Sequence, residues 1–554
     1  MNTTSSSRLA TAALVAAILL ALPAGAQNGG RTLPNGVFVS DPVVPFVLDV
    51  DLRTVPPAPA WQPGDPIEVV PELVWSDGPT ERIEGWQDPV RQETGPLFSG
   101  SLLFAVEAHP PPNSNPPDTV GSVGPNHYIS MVNASRFAIW DKDGNNLVPP
   151  TILNTLWGGG ASPCEDGDGD PIVEYDDFAD RFLMSEFDIT GNTFCIYISQ
   201  GPDPVTDGWY SYAFSAPVFP DYPQYGVWPD AYYVGSFESP NLGIYAFDRL
   251  SMLDGLPATF QRFAIPHLNG PSPRVTRILP GDFDGPNPPP AGEPNPFVRS
   301  VHATQDNTNP TTRLELWEYH VDFATPPNST FTLEQTLIPA PFALLPCAPG
   351  VRDCVPQPAT NNLIDALFNR ALRRLQYRVD AGGAETLVTN QVVDVGGGVG
   401  GTRWWELRRD PLSLGAGWTL RQDSTYSPDE TYRFMGSIAM NGDGDIALGY
   451  SASSETVFPA IRVTARRAED PLNQMTMEEL TLVPGVASMT ASQRWGDYTS
   501  MDVDPTDDRT FWYVNQRLNA TNQRSVWIGK FSLDQIFADG FESGDTSAWS
   551  NTVP

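Results

Sequence analysis

The sequence predicts an all-β fold made of repeated hairpins. Two observations indicate it: there are 57 Pro and 47 Gly in 554 residues, and short apolar or alternating runs are broken throughout by Asp, Asn, Gly and Pro. Apolar runs interrupted by turn-forming residues are typical of short strands joined by turns. Long helical periods are almost absent, and the best helical candidate is NNLIDALFNRALRRLQYR at 361–378, whose end also fits a strand.

The first 26 residues have the pattern of a signal peptide. One positive charge, Arg8, precedes an apolar run at 9–22, and the segment closes with the small residues 24–26. This pattern predicts a leader at 1–26 that is removed on export. Since no other stretch approaches the length of a membrane span, we expect a secreted bacterial protein that does not span a membrane.

The next segment, 27–110, differs from the rest of the chain. It is rich in Pro, as in VPPAPAWQPGDP and HPPPNSNPP, and has few alternating runs. This composition predicts an extended N-terminal arm that packs on the main domain. At the other end, the polar segment 534–554 predicts a C-terminal tail.

Hairpins of one design recur along the chain. Both 170–187 and 497–514 contain D-x-x-x-D-R between two strands, with Asp176, Asp180 and Arg181 in the first and Asp504, Asp508 and Arg509 in the second. Asp and Gly supply the turn conformations that such hairpins need. Looser copies lie at 120–141, 225–248 and 435–453, and 275–323 and 372–410 supply two more candidates.

The copies recur about every 50–65 residues, which fits a blade of four strands. About seven such units fit between 115 and 533, so the sequence predicts a β-propeller of about seven blades over 111–533. A single small sheet cannot bury both of its faces, whereas stacked blades can. Two consecutive β-sandwiches are the alternative, with shorter and more even strand spacing.

Several longer motifs carry a family resemblance. They are PNHYISMVN, GDPIVEYDDFADRF, DYPQYGVWPDAYYVG, GSIAMNGDGDIALGYSASS and RWGDYTSMDVDPTDDRTFWYV. Over most of 110–533 the chain resembles large secreted bacterial proteins described as uncharacterised or as sialidase-like propellers. That resemblance implies a propeller and assigns no reaction, and no intact S-x-D-x-G-x-x-W repeat of true sialidases is present. The tail resembles a D-G-F-E-S-G-D…W segment at the C-termini of other exported bacterial proteins.

The charge balance restricts the partners. With 66 Asp and Glu against 32 Lys and Arg, the formal net charge is -34. So acidic a surface argues against nucleic acid and anionic membranes as partners. An extracellular glycan or protein is the partner that we expect.

The four cysteines predict two disulfides. An even count in an exported chain favours disulfides, and the spacing fits no zinc pattern. Cys347 and Cys354 flank a short Pro/Gly loop, which leaves Cys164 to pair with Cys195.

A calcium loop is one candidate site. CEDGDGDPIVEYDD places Asp166, Asp168 and Asp170 at alternate positions, and Asp177 stands twelfth. Alternate carboxylates on a tight loop converge on a hard cation, although Pro replaces the sixth-position Gly of an EF-hand loop and Asp its final Glu. The alternative is a solvated Asp/Gly turn. Calcium is the one cofactor that the sequence suggests, and none is required.

An anion site at the opening of the channel is the second candidate. Arg433 and Arg494 come just before the first strands of two units, Arg403 lies in a similar motif, and Trp495 follows Arg494. The planar guanidinium suits a carboxylate, sulfate or phosphate. The alternative is that these arginines pair with nearby Asp residues such as Asp497.

The leading functional hypothesis is binding of a carbohydrate or surface polymer at this opening. The first alternative is a sialidase-type glycoside hydrolase in which Asp497 or Asp230 is the acid/base and Tyr498 the nucleophile. The second alternative is a structural surface protein without a ligand. An enzyme needs arginines and carboxylates that converge in one pocket, whereas a binding protein needs a polar, aromatic face.

Overall fold

The computed structural model describes residues 29–534, apart from residues 63, 70–79, 81, 93–94, 113, 134, 159–161, 163, 165–166, 271–276, 348–351 and 411–416. Almost all regular structure in this part is β, which confirms the predicted all-β class. The predicted leader at 1–26 and nearly all of the predicted tail lie outside the described residues. None of the described helices has the length and apolar character needed to cross a membrane.

Six strands come before the first repeated unit. They are β1 (Gly30–Thr32), β2 (Phe38–Ser40), β3 (Phe46–Leu48), β4 (Glu68–Val69), β5 (Ser101–His109) and β6 (Ser114–Asn115). The 3₁₀ turn Leu52–Thr54 lies among them.

Four-stranded antiparallel units follow, each a meander in which consecutive strands pair. Unit 1 is β7 (Val120–Val123), β8 (His127–Val132), β9 (Arg136–Asp141) and β10 (Asn146–Ile152). Unit 2 is β11 (Gly169–Asp176), β12 (Arg181–Asp188), β13 (Thr193–Ser199) and β14 (Trp209–Ser215). Unit 3 is β15 (Asp221–Val227), β16 (Tyr232–Phe237), β17 (Asn241–Phe247) and β18 (Phe260–Pro266). Unit 4 is β19 (Leu279–Phe283), β20 (Asn295–Val301), β21 (Arg313–His320) and β22 (Thr330–Leu337).

The small strands β23 (Asp353–Val355) and β24 (Ile364–Asp365) separate these units from the next. Unit 5 is β25 (Ala371–Val379), β26 (Glu385–Asp394), β27 (Gly400–Arg409) and β28 (Thr419–Tyr426). Unit 6 is β29 (Tyr432–Met440), β30 (Ile446–Ser453), β31 (Ala460–Arg466) and β32 (Leu480–Val483). The C-terminal strands of unit 7 are β33 (Ser500–Val503), β34 (Phe511–Leu518) and β35 (Arg524–Ser532).

Helices are short and few in the described residues. They are α1 (Arg249–Leu253) and the 3₁₀ turns Leu52–Thr54, Leu153–Trp157, Ala303–Gln305 and Pro326–Asn328.

The fourth strand of unit 7 comes from the opposite end of the chain. β35 pairs antiparallel with β5, from Ser532 opposite Ser101 to Val526 opposite His109. The predicted domain start at 111 therefore separates β5 from the sheet that it completes. Other N-terminal strands extend outer edges: β2 pairs with β18, and β3 pairs with β14.

The first strands of the units form a closed cycle. Contacts run from β7 to β11, β15, β19, β25, β29 and β33 in turn, and β33 contacts β7 again. Two neighbouring first strands in this cycle, β19 and β25, are also hydrogen-bonded to each other as a parallel pair. The seven units therefore surround a common centre lined by their first strands.

The sheets face one another and bury aromatic side chains. Phe214 of unit 2 lies 5.1 Å from Phe247 and 6.1 Å from Phe260 of unit 3, measured between ring centroids. Offset and edge-on contacts of this kind add to the free energy of burial. Most aromatic residues of the strands have this packing role.

The two D-x-x-x-D-R segments are hairpin turns, as the sequence predicts. One joins β11 to β12 and the other joins β33 to β34. Asp180 and Asp508 hold matching left-handed conformations, with φ of 53° at both. Asp is among the few residues that adopt this conformation readily, which explains the repeated spacing.

Segment 361–378 is not a helix, contrary to the sequence prediction. It contains β24 and β25. Arg373 and Arg374 on β25 point into the centre of the ring and form buried ion pairs there. A buried strand is usually recognised by apolar residues at its inward positions. Here charged residues occupy those positions, so the apolar pattern does not reveal the strand.

The centre of the ring contains these ion pairs. Arg373 binds both carboxylate oxygens of Glu174 on β11, at 2.8 and 2.9 Å, and donates to Ser500 on β33. The neighbouring Arg374 binds Asp502 at 2.8 Å and Asp282 at 2.9 Å. Because β25 and β11 are not adjacent in the cycle, the Arg373–Glu174 pair ties opposite sides of the ring together.

Both predicted disulfides are present. Cys164 is bonded to Cys195 and Cys347 to Cys354. The first closes the segment before β11 onto β13 of the same unit.

Glu186, opposite Cys195 in the β12–β13 pair, gives a testable pH dependence. Burial raises its pKa to about 8 from the usual 4.5. Between these values the folded protein keeps a proton that the unfolded chain loses, so rising pH lowers the free energy of unfolding. We expect Glu186→Gln to gain about 4 kcal/mol relative to wild type between pH 5 and pH 9.

Urea unfolding at pH 5, 7 and 9 measures this difference. The exposed Glu455→Gln variant is the control and should follow wild type at every pH. Parallel stability curves for Glu186→Gln and wild type would contradict the prediction.

Candidate functional site

Polar and aromatic side chains from five units meet at one end of the ring. We call them the mouth cluster, and each belongs to the start of a first strand or to the residues just before it: Asp118, Asp170, Tyr222, Arg370, Asp497 and Tyr498. Every member is less than a tenth exposed. The ring therefore converges on a buried, strongly polar site.

Local backbone geometry aims these side chains inward. β11 and β15 each have a register shift at their start, between Gly169 and Ile172 and between Asp221 and Gln224. Bulges at strand ends re-aim side chains and are common beside functional sites.

Three members of the cluster also hold left-handed backbone conformations. The φ values are 40° at Asp118, 47° at Asp170 and 51° at Tyr222. A left-handed conformation is uncommon outside glycine and costs free energy, most of all at a bulky residue such as Tyr222. The same unusual start in three units marks this end of the ring as a functional candidate.

A chain of hydrogen bonds connects the carboxylates. Asp118 accepts from the backbone N–H of Asp497 at 2.5 Å and from the side-chain amide of Asn133. The carbonyl of that amide accepts from the backbone N–H of Asp170 at 2.8 Å. Asp170 also accepts from the Tyr498 hydroxyl at 3.0 Å.

Two tyrosines form the middle of the cluster. Tyr222 and Tyr498 stack with ring centroids 4.9 Å apart. The guanidinium carbons of Arg277 and Arg370 lie 5.0 and 5.1 Å from the Tyr222 ring centroid. Cations over an aromatic face are attracted by its quadrupole, so these contacts hold positive charge beside the carboxylates.

Burial and mutual repulsion perturb the acids. Burial, followed by the charge of Asp497, raises the pKa of Asp118 to about 7. Burial, then Asp118, also raises the pKa of Asp170 well above its usual range. Carboxyl groups that keep a proton near neutral pH can donate as well as accept hydrogen bonds. Clustering of such groups is typical of functional sites.

The cluster reaches the surface through Arg494 and Asp497. Their side chains are 20% and 8% exposed, and Nη2 of Arg494 lies 3.5 Å from the Asp497 carboxylate. Arg524 donates to the backbone carbonyl of Arg494 at 2.6 Å and holds that segment in place. A ligand that approaches the ring would meet this pair first, above the buried members.

The structure separates the predicted anion-binding arginines. Arg433 is buried and pairs with Asp429 and Glu479. Arg403 is buried and pairs with Asp88 and Asp423. Neither of them lies beside Arg494. Both follow the alternative stated above, in which the arginines pair with carboxylates of the protein itself.

Trp495 and Asp230 also lie away from the cluster surface. Trp495 is 2% exposed and donates to Ser451 at 2.9 Å. Asp230 follows β15 at its far end, whereas Tyr222 at the near end contacts Asp497. Strands rise about 3.3 Å per residue and Tyr498 stacks on Tyr222, so roughly 20 Å separates Asp230 from Tyr498, too far for Asp230 to act as acid/base beside that nucleophile.

The predicted calcium loop is divided by a strand. Asp166 lies outside the described residues, and Asp168 accepts from the backbone N–H of Ile189 at 2.7 Å. Asp170 is in the mouth cluster, while Asp177 comes after the other end of β11 and accepts from Gly285. One ion cannot bind both Asp170 and Asp177. Over the described ranges, no group of three or more His, Cys, Asp or Glu side chains is placed to hold a metal.

Sequence reasoning identified Asp497, Tyr498 and Arg494 but did not identify Asp118, Tyr222 or Arg370. A signal was available, because an Asp lies at or just before the start of the first strand in five units. These residues are Asp118, Asp170, Asp221, Asp429 and Asp497. Aligning the repeats on their first strands, and not on their turns, would have found the pattern.

Comparisons with known proteins gave no relative by sequence. No family model matches, and no curated protein matches. Among solved structures, an α-L-arabinanase of Penicillium chrysogenum with arabinobiose is 11% identical, with 79% of this chain and 99% of that chain covered and a TM-score of 0.33. An ulvan lyase is 10% identical, with 78% and 95% covered and a TM-score of 0.37. The WD40 domain of SCAP from fission yeast is 8% identical, with 74% and 82% covered and a TM-score of 0.32. Likenesses of this strength carry no argument about the function of this chain.

Proposed function

We propose that the ring is a β-propeller of seven blades and that it binds a carbohydrate at the mouth cluster. The cycle of first strands and the closure of unit 7 by β5 support this blade count. Joining the two chain ends in one blade is a way to leave no long open edge in a ring of sheets.

The convergence of the mouth cluster is the observation that supports binding. Stability alone would favour apolar side chains here, because buried carboxyl groups and left-handed residues each cost free energy. Five units nevertheless supply polar or aromatic groups to one point. Such an arrangement is expected where a ligand is recognised.

The chemistry of the cluster suits a hydroxyl-rich ligand. The nearly buried Asp497 offers acceptors at the edge of the cluster, and the more exposed Arg494 offers donors beside it. A sugar presents both kinds of group, and alternating donors and acceptors satisfy its hydroxyls. The two disulfides support a location outside the cell, where such a ligand would be met.

A glycan array followed by titration of the best glycan tests this proposal. We expect Asp497→Asn to weaken binding about tenfold, because a charged acceptor is lost. The matched control changes another Arg–Asp pair, Asp51→Asn, whose carboxylate lies 2.7 Å from Arg53 in the 3₁₀ turn Leu52–Thr54. This pair belongs neither to the mouth cluster nor to the lining of the second cavity described below.

We expect the control to bind as wild type does. Equal loss in both variants, or binding unaffected by Asp497→Asn, would remove the mouth cluster as the site. An array without any bound glycan would end the carbohydrate proposal.

Hydrolysis by the same site is a second candidate, favoured by one contact. Tyr498 donates to Asp170 at 3.0 Å, which places a tyrosine hydroxyl directly on a buried carboxyl group. Release of reducing ends from a bound glycan, abolished in Tyr498→Phe, would establish it. Binding without release would leave the protein a binding module.

A further inference from the structure

A second cavity lies at the other end of the ring, apart from the mouth cluster. Its volume is about 430 Å³, within the range of small-molecule sites. Units 5 and 6 form most of its wall, together with Asp508 from the β33–β34 turn. Arg378, near the end of β25, lines this cavity, whereas Arg370 at the start of β25 belongs to the mouth cluster.

Four arginines line this cavity, and three of them have carboxylate partners. Arg378 pairs with Asp508 at 2.6 Å, Arg408 with Asp380 at 2.5 Å, and Arg421 with Glu406 at 3.2 Å. These charges are neutralised within the protein.

Arg466, at the end of β31, is the exception. It is 2% exposed, and in the described part of the chain no carboxylate lies within ion-pair distance of it. Its Nη2 donates to the backbone carbonyl of Asp470 at 2.7 Å, and its Nε has no hydrogen-bond partner. Glu406 is near enough to act on Arg466 through its charge but is already bound by Arg421 and Gln422.

Asp445 and Asp470 also act on Arg466 through their charge, but neither is an ion-pair partner of it. The cavity lining holds as many carboxylates as arginines, so its total charge is balanced. What is missing is a direct counter-ion for Arg466, and a buried cation without one is costly. The other lining residues include neutral side chains that form hydrogen bonds, namely Asn287, Thr386 and Asn441. These groups match hydroxyls better than they match a bare inorganic ion.

We propose that this cavity binds a small polyhydroxylated monocarboxylate, of the class of a uronic acid. The carboxylate pairs with the guanidinium of Arg466, and the hydroxyls contact the polar wall. A planar carboxylate matches the fork of Arg, which explains an arginine at the one unpaired position. This site is separate from the carbohydrate site proposed above and does not depend on it.

Calorimetric titration and thermal unfolding with sodium glucuronate test the proposal on the full chain. Glucose is the neutral analogue and inorganic sulfate the bare oxyanion. We expect glucuronate to bind and to raise the unfolding midpoint, sulfate to act more weakly at equal concentration, and glucose to have no effect. Arg466→Gln should weaken glucuronate binding at least about tenfold.

Arg462→Gln is the matched control, since Arg462 lies on the same strand and pairs with Glu479 away from the cavity. It should bind glucuronate as wild type does. Without ligand, Arg466→Gln should unfold at the same or a higher temperature than wild type, because an unpaired buried charge is removed.

Several results would overturn the proposal. They are the absence of glucuronate binding, equal effects of sulfate and glucuronate, or binding that survives Arg466→Gln. A large fall in the unfolding midpoint of ligand-free Arg466→Gln would show that the protein itself neutralises Arg466.

Discussion

A chain shortened to 111–554 is expected to lose at least about 5 kcal/mol of folding free energy, or to fail to fold, relative to a chain of 98–554. The two differ by the segment that contains β5. That strand supplies the fourth strand of unit 7, and Phe104 on it packs against Trp512 with ring centroids 5.3 Å apart. Its loss removes a ladder of hydrogen bonds and exposes β35 as an open edge.

Urea unfolding of the two purified chains measures the difference. A peptide of residues 98–110 added to 111–554 should restore part of the lost stability, because it can pair with β35 again. Equal unfolding midpoints for the two chains would show that β5 does not hold the ring closed.

Arg373→Met is expected to destabilise the fold by about 3–5 kcal/mol. The change leaves Glu174 buried at the centre of the ring without its bidentate partner. Burial already raises the pKa of Glu174, and Arg373 is the largest influence that lowers it. In the variant this pKa rises further, so the carboxyl takes up a proton more readily and the loss should be smaller at acidic pH.

The double variant Arg373→Met/Glu174→Met removes both charges of the pair, and comparison with the single variants isolates the interaction between the two side chains. Because no charge is then left unpaired, we expect it to recover most of the stability lost in the single variant. Unfolding in urea at pH 5 and pH 8 gives both comparisons. Additive losses in the two single variants and the double variant would show that the two side chains do not stabilise each other.

Features set by neighbouring residues could be predicted from the sequence. The turns at Asp176–Arg181 and Asp504–Arg509 are local, because Asp at a left-handed position and the flanking strands define them together. The disulfides followed from cysteine number and spacing. The all-β class followed from turn residues spread along the whole chain.

Features that depend on ring closure could not be predicted. Arg403 and Arg433 look like Arg494 in sequence, and only the packing of units shows that Asp88, Asp423, Asp429 and Glu479 neutralise the first two. The partners of Arg403 include a residue more than 300 positions away. No local pattern contains that information.

For the same reason, only part of the mouth cluster could be predicted from the sequence. Asp497 and Tyr498 could be identified because they are adjacent in a segment that is rich in charged and aromatic residues. Asp118 and Tyr222 are ordinary in their own segments and become part of a site only when the first strands of units 1, 3 and 7 meet.

The pairing of β5 with β35 also sets the time at which this protein can finish folding. His109 ends β5 and Arg524 begins β35, so 524 − 109 = 415 residues separate them. At about 5–20 residues per second, synthesis of that interval takes roughly 20–80 s. Throughout it β5 has no partner strand, and a ribosome that stops early yields a chain whose ring stays open. Closure of the ring thus requires that the chain has been made at least to the end of β35.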